Sequence, residues 1–397
     1  MKHILIIFDG MADNPSDFIN NQTPMCTANT PNIDKLAKHG KIGLVKTTPD
    51  NMQPGSDVTN LGILGYDPTI YYQGRASIEA ASLGIKLNPT DVAYRTNLVS
   101  TDGKTMLDSS ADHITDQEAG ELIDFLNSKL ACDNFMFYKG VSYRNIMVMH
   151  NGSMNVNLYP PYKFIGESLE SHKPKGDFSD LFWELIVKSY DLLNNHPINI
   201  KRREKGLLAA NQVWFWAEGR LADFPSFKEK FGMDGAVIAA VDLIKGLGKM
   251  TNLKVLNIPG ATGYIDTNYE NKAKYAIDAL KDNDFVWVHI EAPDEAGHEK
   301  NKEEKIKAIE KIDNIILKSI IDEMDKSKEP YKILIMPDHP TPISTGSHTD
   351  NPVPYLLYDS TNLIDNNIKY NEVDAKEGIY INNSIKLMPM LMNNNEK

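Results

Sequence analysis

Residues 3–8 read HILIIF and stop at Asp9-Gly10, and two later stretches repeat the pattern. FVWVHI at 285–290 leads into Glu291-Ala-Pro-Asp294, and YKILIM at 331–336 leads into Pro337-Asp338-His339. Each is a short apolar block rich in β-branched or aromatic residues, with little polar alternation. Such runs suit strands buried on both faces of a mostly parallel sheet. Segments with apolar spacing near 3.6 stand between some of them. One is GAVIAAVDLIKGL at 235–247; another is 301–325, where Ile306, Ile309, Ile312, Ile316 and Ile320 form a stripe with charges elsewhere. The second reads as a solvated amphipathic helix. Strand–helix alternation predicts an α/β fold built on a doubly wound, mostly parallel sheet.

The middle of the chain breaks this rhythm. Shorter strand-like pieces occur at 92–100 (VAYRTNLVS), 134–140 (NFMFYKG), 142–150 (SYRNIMVMH) and 210–219 (ANQVWFWAEG). One clear helix, 115–130, opens on Thr115 with Glu118 three residues later, a capping-box signature. Residues 151–180 read as loop. The pattern predicts a smaller α+β domain at 91–229, inserted into an α/β domain made of 1–90 and 230–397. Trp214, Phe215 and Trp216 read as packing residues, not as a base-stacking platform. The tail MNNNEK, 392–397, is expected to fray.

Composition narrows the partners. The 397 residues carry 54 acidic and 42 basic side chains, a formal net charge of -12. That disfavours sequence-independent nucleic-acid binding, which needs a basic stripe. An anionic substrate would have to be met by local cations. Two cysteines with no CxxC exclude a disulfide framework or zinc ribbon. The apolar run at the N-terminus, Ile4 to Phe8, is too short for a signal-peptide core, and no run approaches a membrane span. A cytoplasmic protein with no membrane partner is expected.

The chemistry-bearing residues cluster at strand ends. Asp9 follows the first block, Asp294 and His298 (spaced DxxxH) follow the second, and Asp338 and His339 follow the third, with His348 nine residues on. Open α/β sheets bind ligands at the carboxyl ends of their strands, so these residues could converge. Each alone is commonplace, since an Asp after a strand is often a cap. Together, three carboxylates in one place would repel one another unless cations joined them. Oxygen and imidazole donors without thiolate suit Mn²⁺, Zn²⁺, Co²⁺ or Fe²⁺.

The stretch PGSDVT at 54–59 offers Ser56 either as a helix cap or as a nucleophile. No GxSxG elbow accompanies it, so metal activation is the physical route left. Arginine is scarce: Arg75, Arg95, Arg144, Arg202, Arg203 and Arg220, against 36 lysines (42 minus 6). A retained arginine in such a chain is a candidate for bidentate anion binding. Arg202 and Arg203, in the charged run KRREK (201–205), are expected to be solvated. Arg75 is assigned no role.

Several stretches in order give the chain a resemblance to a known family. They include IIFDGMADNP (6–15), PGSDVTNLGILGYDP (54–68), GVSYRNIMV (140–148), ANQVWFWAEGR (210–220), PGATGYIDTNYENKA (259–273), HIEAPDEAGH (289–298) and MPDHPTPISTGSHTDNPVPY (336–355). The chain resembles the cofactor-independent (2,3-bisphosphoglycerate-independent) phosphoglycerate mutases of archaeal type, in the alkaline phosphatase superfamily. The resemblance implies an alkaline phosphatase-like core and two divalent metal ions, with no organic cofactor. Mn²⁺ is expected first, with Zn²⁺, Co²⁺ or Mg²⁺ as alternatives. One ion would be held by Asp294, His298 and His348, the other by Asp9, Ser56, Asp338 and His339. Ser56 would be the catalytic nucleophile, taking the phosphoryl group of 3-phosphoglycerate and returning it to the 2-hydroxyl. The inserted domain would close to exclude water. Substrate-binding residues would be His113, Arg144 and Arg220. His113 lies in SSADHI, where Asp112 replaces the usual small residue of the family. The implied partner is a small phosphorylated hydroxy acid, whether the protein is a monomer or a homo-oligomer. A homoserine kinase-like phosphotransferase or a plain phosphatase shares the metal and serine motifs, and a non-enzymatic binding protein would normally have lost some of them.

Overall fold

The strand Lys2–Phe8 lies inside an eight-stranded sheet, parallel to Phe285–Ile290 on one side and to Tyr331–Met336 on the other. The coordinates are a computed structural model that describes residues 1–392. The sheet order is Lys254–Leu256, Gly235–Ile238, Phe285–Ile290, Lys2–Phe8, Tyr331–Met336, Val353–Asp359, Lys41–Val45 and Ile379–Ile381. Only Val353–Asp359 runs against its neighbours. Phe285–Ile290 and Tyr331–Met336 are buried along their whole lengths, which explains their unbroken apolar character. Register then decides where the loops emerge. Phe8 pairs with Ile290 and Ile7 with Met336, so Asp9, Glu291 and Pro337 leave the sheet at one edge. The expected α/β class with a doubly wound, mostly parallel sheet is what forms.

Two local expectations are corrected. The stretch 235–247 is not one helix: Gly235–Ile238 is a strand, and the helix is Asp242–Met250. GAVI is inserted between two parallel strands and buried throughout, and so short an apolar run carries no usable period. The segment 301–325 keeps its isoleucine stripe, but its charges are not all solvated. Lys305 and Asp313 are fully buried. Asp313 sits in a π-helical turn, Ile312–Leu317, and accepts hydrogen bonds from the Asn32 and Ile33 amides, satisfying the start of the helix Pro31–Ala37.

The chain divides into two compact units, Met1–Tyr72 with Phe224 onward, and Gln73–Asp223. The second unit thus begins and ends earlier than the 91–229 expected from sequence. The helix Arg75–Ser82 belongs to it, because Ala76 and Ala80 pack on Ala93, Ile146 and Val148 of its sheet. That sheet is antiparallel: Val92–Thr101 pairs with Arg144–Met149, Gln212–Arg220 and Met106–Asp108, and Phe135–Val141 pairs with Arg144–Met149. The helices Asp116–Leu130 and Ser179–Leu193 share a core with Tyr94, Leu98, Phe137, Met147 and Phe215. Thr115 caps the first of them by accepting the Glu118 amide. Trp214 and Trp216 are packing residues, as expected. The fraying expected of 392–397 concerns residues outside those described, apart from Met392, which ends a helix. No helix among the described residues is long and apolar enough to cross a membrane.

Candidate functional site

At the carboxyl edge of the large sheet, the seven first-unit residues singled out by sequence come together. Asp338 is fully buried and its carboxylate is well supplied with donors. It accepts from the Gly10 and His339 amides at 3.2 and 3.0 Å, from Asn60 Nδ2 at 2.7 Å and from Thr59 Oγ1 at 3.3 Å. Gly10, with φ +58°, is required here, since a Cβ would fall 2.2 Å from Asp294 Oδ1. His339 Nε2 is a point of convergence: Ser56 Oγ lies 3.1 Å from it, and Asp9 Oδ1 and Asp338 Oδ2 each lie 3.5 Å from it. Asp9 Oδ1 is sealed from solvent and has no hydrogen-bond partner among the described residues.

A second cluster adjoins the first. His298 Nε2 and His348 Nε2 lie 3.1 and 3.4 Å from the Asp294 carboxylate and 3.0 Å from each other. The His339 and His348 rings stack at 3.9 Å. His298 Nδ1 donates to the Gly346 carbonyl at 2.9 Å, which leaves Nε2 as the lone-pair nitrogen. Thr341 donates to Asp294 Oδ1.

The electrostatics carry the signature of a cation site. Burial, then repulsion from Asp338 and Asp294, pushes the Asp9 carboxyl well above its ordinary range. For Asp294 burial acts in the same direction, but hydrogen bonds from His298 and His348 outweigh it and hold the carboxyl well below its ordinary value. The Asp294 hydrogen bond in turn raises His298 to about 9. Asp338 is lowered too: burial opposes this, and His339 and His289 prevail. An orphaned carboxylate oxygen, three buried acids and histidine nitrogens facing one another fit divalent metal. Asp9, Asp338 and His339 form one group whose donor atoms could share an ion, and Asp294, His339 and His348 form another.

Ser56 is not a cap. Gly55 takes that position, and Ser56 is the first residue of the helix Ser56–Ile63. Its hydroxyl is therefore left free to face His339.

The second unit holds the remaining candidates, but not all together. His113 meets the Tyr143 ring edge-to-face at 5.8 Å, and the Arg144 guanidinium lies 5.3 Å from the same ring. Ala111, Asp112 and His113 all have positive φ, a strained turn held by Asp108, which accepts the Ser110 and Asp112 amides. Arg220 lies on the other face of the sheet: it pairs with Val92, on the Tyr94 side, whereas Arg144 pairs with Asn97. Its Nη2 donates to the Gly152 carbonyl at 3.4 Å.

Arg202 is a correction. It was expected to be solvated, yet it is 2% exposed and donates to Leu208 O, Glu118 Oε2 and Ala111 O. The helix Pro197–Glu204 turns it inward, and it holds the turn that presents His113. Arg203 stays at the surface. Sequence reasoning also missed a buried chain behind Asp9. Lys272 Nζ lies 3.0 Å from Glu291, Glu291 lies 3.3 Å from His289 Nδ1, and His289 Nε2 lies 3.8 Å from Asp9. The signal available was Glu291, an acid directly after a fully apolar strand.

The family model described as 2,3-bisphosphoglycerate-independent phosphoglycerate mutase matches residues 37–199. A Methanosarcina mazei protein of that name is 46% identical over 380 residues, covering 95% of this chain and 96% of its own. A Geobacter sulfurreducens protein named as a probable enzyme of the same kind is 44% identical over 398 residues, covering 99% of this chain and all of its own. Among solved structures, a Pyrococcus horikoshii protein superposes with a TM-score of 0.84 at 29% identity, covering 100% of this chain and 99% of its own. The cofactor-independent phosphoglycerate mutase of Thermoplasma acidophilum superposes with a TM-score of 0.67 at 27% identity, covering 99% of both chains. With identity of this level over nearly its whole length, the chain belongs to the family of 2,3-bisphosphoglycerate-independent phosphoglycerate mutases.

Proposed function

We propose that the protein interconverts 3-phosphoglycerate and 2-phosphoglycerate through a phosphoserine on Ser56. The observation that carries this reading is the position of Ser56 Oγ, 3.1 Å from His339 Nε2 at the point where Asp9 and Asp338 converge. Asp9, Ser56, Asp338 and His339 would hold one divalent ion, and Asp294, His298 and His348 a second, with Mn²⁺ the first candidate. Ions held there supply the positive charge that makes a serine hydroxyl nucleophilic and offsets charge on the phosphoryl oxygens.

The chain's own residues do the rest. Ser56 Oγ forms a bond to phosphorus as the bond from phosphorus to the substrate's C3 oxygen breaks. The proton lost by Ser56 ends on that departing oxygen, giving glycerate. The 2-hydroxyl of glycerate then attacks phosphoserine, and Ser56 regains its proton. The amide end of the helix Ser56–Ile63 favours the negative charge at each stage. His113 and Arg144 bind the acid's anionic groups from one face of the sheet, and Arg220, on the opposite face, is assigned the same role.

Incubation with 3-phosphoglycerate labelled in its phosphoryl group, acid quench and peptide mass spectrometry test the reading. Label on the peptide containing Ser56, absent in Ser56→Ala, is the expected result. Interconversion without any labelled serine peptide would remove Ser56 as the carrier.

A further inference from the structure

Behind Asp9, a histidine stands between two acids. His289 lies on the strand Phe285–Ile290 and is fully buried. Its Nδ1 is 3.3 Å from Glu291 Oε1, and its Nε2 faces Asp9 Oδ2 at 3.8 Å. The second separation is an ion-pair distance, longer than a hydrogen bond. Nε2 has no hydrogen-bond partner among the described residues. A buried polar nitrogen left unfilled is costly, so the group it faces matters.

Glu291 is fixed from two helices. Its Oε2 accepts from Lys272 Nζ at 3.0 Å, on the helix Tyr269–Asp282. Its Oε1 accepts the Ala240 and Val241 amides at 3.2 and 3.3 Å, where the helix Asp242–Met250 begins. Lys272 is fully buried too, and also reaches the His289 carbonyl at 3.4 Å. Burial would raise the Glu291 carboxyl, but Lys272 and His289 outweigh it and hold the group well below its ordinary range. An anchored, ionised acid thus anchors Nδ1, and the Trp287 ring packs edge-to-face against the imidazole at 6.0 Å. The ring is held with Nε2 towards Asp9.

Asp9 divides its two oxygens. Oδ1 faces His339 Nε2 at 3.5 Å, on the side of Ser56 and Asp338, and Oδ2 faces His289. Glu291 is among the acids that raise the Asp9 carboxyl, behind burial, Asp338 and Asp294. His289 stands between these two acids. An imidazole with a carboxylate at each nitrogen serves as donor from both, and so joins groups that would otherwise only repel.

We propose that His289 is a positioning residue for the metal centre, holding Asp9 through Oδ2 and leaving Oδ1 for the ion shared with Asp338 and His339. Glu291 and Lys272 hold His289 in turn. The proposal rests on the reading of Asp9 as a metal ligand. A partner one step behind a ligand fixes that ligand's orientation, and its loss typically costs about 10- to 100-fold in metal affinity.

Mn²⁺ titration of the full-length, metal-free protein, with free Mn²⁺ measured by electron paramagnetic resonance, tests this without any turnover. Wild type sets the number and affinity of the sites. Two amides separate the two nitrogens. In His289→Asn the amide overlays Nδ1 and keeps only the Glu291 contact; in His289→Gln it overlays Nε2 and keeps the Asp9 contact. His289→Asn should weaken one site by about tenfold or more and any other by less than about threefold. His289→Gln should hold every site within about threefold of wild type. Weakening in neither variant, or equally in both, overturns the assignment. Asp9→Asn separates this role from the reading beneath it. If that variant keeps every site, Asp9 is not a ligand and the reading fails. If it loses a site that His289→Asn leaves untouched, the positioning role alone fails. Thermal melts report folding. Should either His289 variant not fold, a crystal structure of the Mn²⁺-loaded wild type decides. His289 Nε2 within about 3 Å of Asp9 Oδ2 supports the proposal, and Nε2 bound to the ion or turned away from Asp9 overturns it.

Discussion

His298 Nε2 and His348 Nε2 face each other at 3.0 Å although fifty residues separate them in the chain. His298 uses Nδ1 on the Gly346 carbonyl, so its Nε2 is available as a lone pair or takes a second proton. With Asp294 raising it to about 9, the metal-free side chain carries that proton at neutral pH. A metal ion must displace it. Mn²⁺ affinity should therefore rise as pH increases from 7 towards 9, by up to about tenfold per unit for one proton released. Titration calorimetry in buffers of different ionisation enthalpy measures both affinity and proton release. A pH-independent affinity across this window would exclude His298 as a ligand.

Ser56→Ala separates chemistry from architecture. Gly55 is the N-cap and the Ser56 side chain makes no cap hydrogen bond, so the hydroxyl can be removed without loss of a helix start. Stability should change by less than about 0.5 kcal/mol, as for a substitution away from any packing or capping feature. Phosphoglycerate interconversion should vanish. Chemical denaturation and a coupled assay on the same preparation check the two halves. A variant that keeps turnover would refute the nucleophile.

Arg202→Gln should behave in the opposite way. It removes a buried cation that fills Ala111 O and Leu208 O and pairs with Glu118. Breaking such a network by deleting one partner should cost about 3 kcal/mol. The turn 111–113, with three positive φ values, loses a tether and His113 its support. KM should rise more than kcat falls. Urea denaturation shows the first effect and steady-state kinetics the second. A loss below about 0.5 kcal/mol would mean that the hydrogen bonds are not held in solution.

How much of this was legible before any coordinates depends on the kind of signal. HILIIF, FVWVHI and YKILIM announced buried parallel strands, and the residues following them announced the site, because ligands gather at strand ends whatever the details of packing. GAVI at 235–238 was read as helix, since a short apolar run contains no period to distinguish the two. Charged residues inside amphipathic segments were the other blind spot. Lys305, Asp313 and Arg202 stand among solvated charges in the sequence, and only tertiary contacts reveal that they are buried. Arg95 stands out in the sequence as a scarce arginine, and its burial follows from its place as the lone charge in the strand VAYRTNLVST. The face on which Arg220 falls could not: it depends on the bulge at Ala217, where φ is +48° and the register with Val92–Thr101 shifts.

Glu372 provides a pH test of the buried charges around the first unit's site. It accepts from the Asp13 amide at 2.9 Å and from Thr23 Oγ1 at 2.7 Å, while the nearby Lys305 is committed to Asp13, Ala12 O and Thr341 O. Burial without a cation of its own raises its carboxyl from 4.5 to about 7. The folded state thus binds a proton that the unfolded state has released between those values. The stability this proton supplies is complete below pH 4.5 and is lost as pH rises through 7. A shift of this size corresponds to about 3 kcal/mol. Glu372→Gln keeps an oxygen for the Asp13 amide and can donate to Thr23, but it carries no charge at any pH. The variant should match wild type near pH 5 and become more stable than it at pH 8, by as much as that figure. Parallel thermal melts at the two pH values measure the difference. If wild type and variant lose stability equally on going from pH 5 to pH 8, Glu372 is ionised throughout and Lys305 neutralises it despite its bond to Asp13.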